Sequence, residues 1–150
     1  MDTKENSCEK SIGKWISILY RRFQMDINRE LKPYDLHSSQ YIFLVQLYKK
    51  NHVSQECLAR ELMIDKSATA RAIKHLESTG YVTREVNPDD KRSYFVCLTE
   101  KSLGIKKALH AILSAWNKKL TKSLGFQDYE IAYNLLEKMA VDVLCEEEAE

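Results

Sequence analysis

The hydrophobic period of this chain switches from about 3.6 residues to 2 over a short central stretch and then switches back. Two runs follow the period of 2, one through Val82, Arg84 and Val86 and one through Tyr94, Val96 and Leu98. Both are rich in β-branched and aromatic residues, which predicts two strands because side chains alternate between faces along a strand. The intervening loop, 87–92, carries Asn, Pro and Asp residues that favour turns. The middle of the chain therefore predicts a β-hairpin between helical regions.

Two short helices are predicted directly before the hairpin. Ser54 is suited to cap a helix of barely two turns, and Asp65 to cap a second helix over 66–78, because their side-chain oxygens accept hydrogen bonds from the free amides of a first turn. Gly80 then offers a residue free to take positive φ after the second helix. Together these signals predict a helix-turn-helix motif over 55–78.

Longer helices are predicted before the motif. Apolar residues recur every three to four positions from Ile12 to Leu31, which is the period of an amphipathic helix, and Pro33 ends it. Ser38 is suited to cap a further helix that ends near Asn51. This part of the chain therefore predicts two helices joined by a turn.

Two more helices are predicted after the hairpin, one from Thr99 to about Thr121 and one beyond Gly125. The terminal helices carry more large apolar side chains than the core of a small winged domain covers, which predicts that a second copy covers them. Packing within one chain is the alternative. The side chains concerned are Trp15, Phe23, Trp116, Tyr129 and Tyr133.

The element order predicts an α+β, mainly helical fold: a winged helix-turn-helix with N- and C-terminal dimerisation helices. At 150 residues, the chain fits one domain over 1–150. Within it, 34–101 are predicted to form the winged helix-turn-helix, with the wing at 82–99. Residues 8–33 and 102–145 are predicted to form the dimerisation helices.

The second helix of the motif is predicted to present a cationic face to DNA. A protruding α-helix fits the major groove, where an arginine makes paired hydrogen bonds to guanine, so Arg71 is the candidate for base contact and Ser67 for phosphate contact. A solvated polar face is the alternative. The predicted DNA-binding residues of this helix are Lys66, Ser67, Ala68, Ala70, Arg71, Lys74 and His75.

The hairpin tip is predicted to enter the neighbouring minor groove, because a narrow groove attracts inserted cations. Lys91 and Arg92 lie in the loop that would enter it. Asp90 is predicted to orient the Arg92 guanidinium through a charge-assisted hydrogen bond. A solvated hairpin loop is the alternative.

The ordered set of motifs resembles the MarR family of bacterial and archaeal regulators over Leu36–Lys101. The most specific part is an Asp-Lys-Arg wing followed by Leu-Thr-Glu-Lys at 98–101. The other matching segments are Leu58-Ala59-Arg60-Glu61-Leu62, Lys66 to Ile73, Leu76-Glu77, Gly80-Tyr81-Val82 and Asn87 to Arg92.

The resemblance implies a homodimer that binds a pseudo-palindromic double-stranded DNA operator, often as a repressor that a small ligand releases. Asp90 and Arg92 match the family's wing, and Ser67, Ala68, Ala70 and Arg71 match its recognition helix. The chain departs from the family at Ala70, where Thr is frequent, and at Ser102, where Gly is common.

A small-molecule effector is expected where the dimerisation helices meet the winged region. Side chains with aromatic rings or hydrogen-bonding groups are the candidate lining, with core or surface roles as the alternative. These residues are Tyr20, Arg21, His37, Tyr41 and Tyr48.

The cysteines occur singly, without a CxxC pair, which predicts buried free thiols and no zinc ribbon. They are Cys8, Cys57, Cys97 and Cys145. Some members of the family that the chain resembles sense peroxides through a thiolate one turn before a tyrosine of the first helix. Here Ile16 stands one turn before Tyr20 and Cys8 lies further upstream, so a thiol-based redox-sensing regulator stays an alternative.

No enzyme, cofactor or metal site is predicted. The four histidines lack HExxH spacing, and GxSxG, P-loop and GxGxxG motifs are absent from the sequence. No apolar run reaches the roughly 18 residues that span a bilayer, so we expect a cytoplasmic protein without a membrane partner. A winged helix-turn-helix that binds a protein instead of DNA is the remaining alternative.

Overall fold

The computed structural model describes residues 10–147, and Cys8 lies outside them. The chain divides into two compact units, Met1–Leu113 and Ser114–Glu150. The elements, in chain order, are α1 (Ile12–Leu31), a 3-10 turn (Lys32–Tyr34), α2 (Tyr41–Lys49), β1 (Val53–Ser54), α3 (Gln55–Leu62), α4 (Lys66–Ser78), β2 (Val82–Val86), β3 (Tyr94–Leu98), α5 (Glu100–Leu120) and α6 (Phe126–Glu147). The predicted mainly helical winged helix-turn-helix is confirmed.

The hairpin forms where the period of 2 predicts it, and it belongs to a three-stranded antiparallel sheet in the order β1-β3-β2. Val82 pairs with Leu98 and Val86 with Tyr94, so the two long strands match along their full length. The sequence did not predict β1, whose Val53 pairs with Val96. A strand of two residues has too short a pattern to be recognised, because its only support comes from a distant partner strand.

The caps that position the motif form as predicted. The Ser54 hydroxyl accepts from the Cys57 amide at 3.1 Å and begins α3. Asp65 Oδ1 accepts from the Ser67 and Ala68 amides, each at 2.9 Å, and begins α4. Gly80 has φ of 80°, in the left-handed region that glycine adopts without a steric cost. Local side-chain chemistry thus sets both ends of the recognition helix.

The predicted cap of α2 is wrong. The helix begins at Tyr41, and the preceding Gln40 makes no side-chain cap. The Ser38 amide instead donates to Asn28 Oδ1 at 2.7 Å, which fastens this turn to α1. A contact between segments ten residues apart replaces the local cap that the sequence suggested.

The core of the first unit lies between the helix-turn-helix and the inner face of the sheet. Its fully buried side chains include Leu44, Leu58, Leu76 and Val96. Burying an aliphatic side chain of this size stabilises the fold by about 1.5–3 kcal/mol. This packing positions α4 against the sheet and leaves its opposite side free.

Large apolar side chains remain exposed at both ends of the chain. On α1, Trp15 is 60% exposed and Ile16 48% exposed. In the second unit, Phe126 is 81% exposed, and no described side chain from 114 to 145 is buried. No helix within residues 10–147 is long and apolar enough to cross a membrane.

The prediction of buried thiols is wrong for the described cysteines. Cys57 and Cys97 are half-buried, and Cys145 is exposed. Cys57 lies on α3 beside Glu61, whose Oε1 accepts from Sγ at 3.4 Å. Arg60 Nη2 lies 3.6 Å from the same sulfur, so the Cys57 thiol contacts polar side chains of its own helix.

Candidate nucleic-acid interface

The recognition helix α4 has one buried face and one exposed face. Thr69, Ala72, Ile73 and Leu76 are buried. All seven residues of this helix that were predicted to bind DNA lie at or near the surface. Lys66, Ser67, Arg71 and Lys74 are exposed, and Ala68, Ala70 and His75 are partly exposed. The structure therefore brings the predicted cations together on one side of the helix.

The amino end of α4 is already occupied by Asp65. Its Oδ1 accepts from the amides of Ser67 and Ala68, which would otherwise be available to a phosphate. The carboxylate also opposes an incoming anion at this end of the helix. These two amides are therefore not free to bind an anion, and the exposed side chains of Lys66 and Ser67 are the polar groups that this end of the helix presents.

His75 differs from the other residues of the predicted face. Its Nε2 lies 3.5 Å from the carbonyl oxygen of Asp35, and its ring centre lies 6.2 Å from that of His37. The side chain is thus turned toward the segment before α2. In this part of α4, the exposed Lys74 therefore contributes a positive charge to the predicted DNA-binding face, and the His75 side chain points elsewhere.

The wing tip is organised by local hydrogen bonds. Asn87 Oδ1 accepts from the Asp89 amide at 2.9 Å, and the Asn87 amide donates to the Ser93 carbonyl oxygen at 3.0 Å. Lys91 and Arg92 are both exposed at this tip. A compact turn thus presents two cations beyond the end of the strands.

The predicted contact between Asp90 and the Arg92 guanidinium is not present. Asp90 Oδ1 instead accepts from the Arg92 backbone amide at 3.0 Å. Within the part of the chain that the structure describes, no ion pair joins the two side chains. An aspartate reaches the amide two residues ahead without ordering a long side chain, so it shapes the turn instead.

An ion pair that the sequence analysis missed joins the recognition helix to the wing. Arg84 on β2 donates from Nε to Glu77 Oε2 at 2.9 Å, and its Nη2 lies 2.8 Å from the same oxygen. The guanidinium also lies over the Tyr94 ring, 5.0 Å from its centre. One signal was available: Arg84 interrupts an apolar face between Val82 and Val86 and therefore requires a partner.

A cavity of about 580 Å³ lies beside the recognition helix. Apolar and polar side chains from α1, the start of α2 and α4 line it, among them Tyr20, Phe23, Gln24, Tyr41, Phe43 and Arg71. Gln24 donates to the Tyr20 hydroxyl at 2.8 Å. Burial, assisted by the nearby Tyr20, raises the pKa of Tyr41 to about 12, so its phenol stays a neutral hydrogen-bonding group.

Two of the five predicted effector residues line this cavity, Tyr20 and Tyr41. Arg21 donates to the Ser17 hydroxyl, and His37 lies near His75. Tyr48 donates to the Ser102 carbonyl oxygen at 2.5 Å. The sequence analysis missed Phe23 and Gln24, although both follow Tyr20 at the three- to four-residue spacing that places side chains on one face of a helix.

A sequence model described as the MarR family matches residues 36–94. The HTH-type transcriptional regulator BilQ of Clostridioides difficile (strain CD3) is 30% identical over 149 residues, which are 99% of this chain and 100% of the relative.

Two solved structures share the fold over most of the chain. A MarR transcriptional regulator from Methanosarcina mazei Go1 has a TM-score of 0.82 and 42% identity, covering 89% of this chain and 96% of that one. A mutant MarR from E. coli, complexed with operator DNA, has a TM-score of 0.77 and 27% identity. That match covers 85% of this chain and 92% of the E. coli chain.

Proposed function

The chain belongs to the MarR family of transcriptional regulators, and on that premise we propose that it is a homodimeric repressor released from its operator by a small ligand. The observation that carries the proposal is the juxtaposition of an exposed cationic helix face with a cationic hairpin tip. The Glu77–Arg84 ion pair joins the two elements. The E. coli relative of the same fold is seen with operator DNA.

In the proposed complex, α4 enters the major groove and the wing enters the adjacent minor groove. Arg71 contacts base edges, because an arginine one turn into a protruding helix reaches the groove floor. Lys66, Ser67 and Lys74 contact the phosphate backbone, and Lys91 and Arg92 contact the minor groove. Asp90 holds the turn that presents them, through its bond to the Arg92 amide.

A second copy of this chain is proposed to cover the exposed apolar side chains. Residues 8–33 and 102–145 are assigned to dimerisation, and 34–101 to DNA binding. Trp15 and Ile16 on α1 lie outside the monomer's core, as do Phe126 and Ile131 in the second unit. Apolar surface of this extent is unfavourable in water and is a feature of protein interfaces. A two-fold dimer would set two recognition helices about 34 Å apart, one turn of DNA.

The cavity beside α4 is proposed as the effector site. Phe23, Tyr41 and Phe43 offer it an apolar wall, while Gln24 and Arg71 offer hydrogen bonds, which suits a small molecule with an apolar body and an acceptor group. Arg71 lines the cavity and also belongs to the DNA-binding face. A ligand that engages Arg71 therefore competes with DNA for it, and a coupling of about 1–3 kcal/mol alters operator affinity about 5- to 150-fold.

The proposal is tested by selecting bound sequences from a random duplex pool and measuring affinity over a salt series. We expect a two-fold symmetric site and a steep loss of affinity with salt, because phosphate contacts release counterions. Recovery of no duplex at low salt would contradict the DNA-binding part of the proposal.

Dimerisation is tested by sedimentation of the full chain and of a Trp15→Glu, Ile16→Glu variant. We expect a dimer for the unaltered chain and a monomer for the variant, because charges are costly to bury in an apolar interface. Lys49→Glu, an exposed change at the end of α2 and outside the segments assigned to dimerisation, is the control and should stay dimeric. A monomeric unaltered chain would overturn the homodimer.

A further inference from the structure

Three side chains with metal-binding chemistry meet on the outer face of the three-stranded sheet, away from the DNA-binding face proposed above. The ligand atoms of His52, Glu85 and Cys97 all lie within 4.8 Å of one another. His52 Nε2 and Glu85 Oε2 are 3.4 Å apart. We propose that these three residues bind a divalent zinc-type metal ion.

The strand register explains why these side chains meet. Glu85 pairs with Phe95 and Thr83 with Cys97 across the hairpin. Residues two apart on a strand share a face, so Glu85, Phe95 and Cys97 lie on one face and the buried Val96 points to the other. His52 immediately precedes β1, which pairs with β3 on its other side. The three ligands therefore come from three separate segments.

The His52 ring is held in place before any ion binds. The residue has φ of 58°, in the left-handed region that non-glycine residues seldom adopt. Its ring stacks on Phe95 with centres 4.4 Å apart and planes 23° apart. Asn51 Oδ1 accepts from the Leu98 amide at 2.8 Å and fastens the same loop to the end of β3. A ligand ordered in this way loses little conformational freedom on binding.

The distances suit a tetrahedral site after small side-chain movements. Zinc bonds of about 2.0–2.3 Å put ligand atoms about 3.4–3.7 Å from each other. The His52–Glu85 distance already falls in that range. The other ligand atoms lie within 4.8 Å, so side-chain movements of about 1 Å would complete the set. Without an ion, the same His52–Glu85 contact is an exposed pair of little energetic value.

The donor set selects the class of ion. One nitrogen, one oxygen and one sulfur suit a borderline-soft ion such as Zn²⁺, whereas Mg²⁺ and Ca²⁺ prefer oxygen ligands alone. Cys97 would bind as the thiolate, and its proton would pass to the buffer. Three protein ligands leave a fourth position for water.

Metal binding would join the loop before β1 to both strands of the wing. This bridge stiffens the hairpin that carries Lys91 and Arg92. Any effect on operator affinity rests on the proposed function, but metal binding itself does not.

The test uses the metal-free full chain titrated with Zn²⁺ in competition with a chromophoric chelator, and with Co²⁺ as a spectroscopic probe. We expect one ion per chain and a thiolate-to-cobalt charge-transfer band. His52→Asn and Cys97→Ser should each weaken Zn²⁺ binding by more than about 10-fold. Asparagine tolerates left-handed backbone, so His52→Asn should keep the fold.

Cys57→Ser is the matched control, because Cys57 is also a half-buried thiol of the winged region and should leave Zn²⁺ affinity and the cobalt band unchanged. Glu85→Gln, a change at the surface, is a further variant expected to weaken binding. Unchanged Zn²⁺ affinity in both His52→Asn and Cys97→Ser, or a cobalt spectrum without a thiolate band, would overturn the site. No step uses DNA, so failure of this site and failure of the proposed function are separate results.

Discussion

Glu77 on the recognition helix accepts a hydrogen bond at Oε2 from Arg84 Nε on the wing, at 2.9 Å, and Arg84 Nη2 lies 2.8 Å from the same oxygen. The two side chains are 37% and 29% exposed, so water screens the pair only in part. The Arg84 guanidinium thus joins α4 to the wing, the two elements that are proposed to enter adjacent grooves of DNA.

Removing this guanidinium should loosen the link between helix and wing. We expect Arg84→Met to lower the free energy of unfolding by about 1 kcal/mol, within the range for a half-exposed charged hydrogen bond. A double-mutant cycle with Glu77→Gln, measured by urea unfolding, should show a coupling of about 0.5–1.5 kcal/mol. Arg92→Met, at the exposed wing tip, serves as the control with unchanged stability, and additive effects of the Arg84 and Glu77 changes would contradict the link.

Arg71 and Arg92 should contribute differently to DNA binding. Arg71→Ala should cost about 1–3 kcal/mol at the selected operator and relax base preference at one position, because it removes the proposed base contact. Arg92→Ala should weaken binding to all duplexes more evenly. Affinities for the operator and for single-base variants measure both, with the exposed Lys49→Ala on α2 as the control. Identical specificity profiles in the two arginine variants would refute the assigned roles.

Asp65 should contribute to stability and oppose DNA binding at the same time. Asp65→Ala should cost about 1 kcal/mol of unfolding free energy, because the Ser67 and Ala68 amides lose their acceptor. Asp65→Asn keeps a capping oxygen, so stability should be nearly unchanged. Operator affinity should rise, because a negative charge leaves the end of α4 that is proposed to face phosphate. Weaker DNA binding by the folded Asp65→Asn variant would contradict this account.

Gly80 should resist substitution because of its backbone and not for lack of space. An added Cβ would meet only Lys101 Cδ at 3.8 Å, an ordinary contact, but φ is +80°. Gly80→Ala should therefore destabilise by about 1–2 kcal/mol and Gly80→Asn by less. Gly104→Ala, within α5 and with no atom within 4 Å of the new Cβ, should instead stabilise by about 0.5–1 kcal/mol. Equal thermal shifts for the two alanine variants would rule out the backbone explanation.

Stability should fall at alkaline pH because of Tyr41. Its pKa of about 12 in the folded chain lies above the ordinary value of 10, so the folded state keeps a proton that the unfolded state loses between these values. The unfolding free energy should then decline over about pH 10–12, by at most about 1.4 kcal/mol per pH unit for each such tyrosine. Tyr41→Phe should reduce the slope, whereas Tyr133→Phe, at an exposed position, should not. An unaltered slope in Tyr41→Phe would exclude this cause.

The chain's own pattern was sufficient for the elements that depend on neighbours in sequence. The hairpin strands followed from a period of 2, and the ends of the recognition helix followed from Ser54, Asp65 and Gly80. Local signals failed where a distant segment contributes: Asn28 binds the Ser38 amide, and α2 begins at Tyr41 without a side-chain cap. Within the wing tip, Asp90 accepts a hydrogen bond from the Arg92 backbone amide and not from its guanidinium, contrary to the prediction.

The sequence by itself determined which residues form the recognition helix and the wing, and that both carry exposed cations. Only the tertiary structure decided that Arg84 binds Glu77, that Tyr20 and Arg71 line one cavity, and that His52 lies near Cys97. The physical reason is the separation along the sequence of the residues that make each contact. Periodicity and caps arise from contacts within about one helical turn or one strand, whereas these three arrangements arise when packing brings separate segments together.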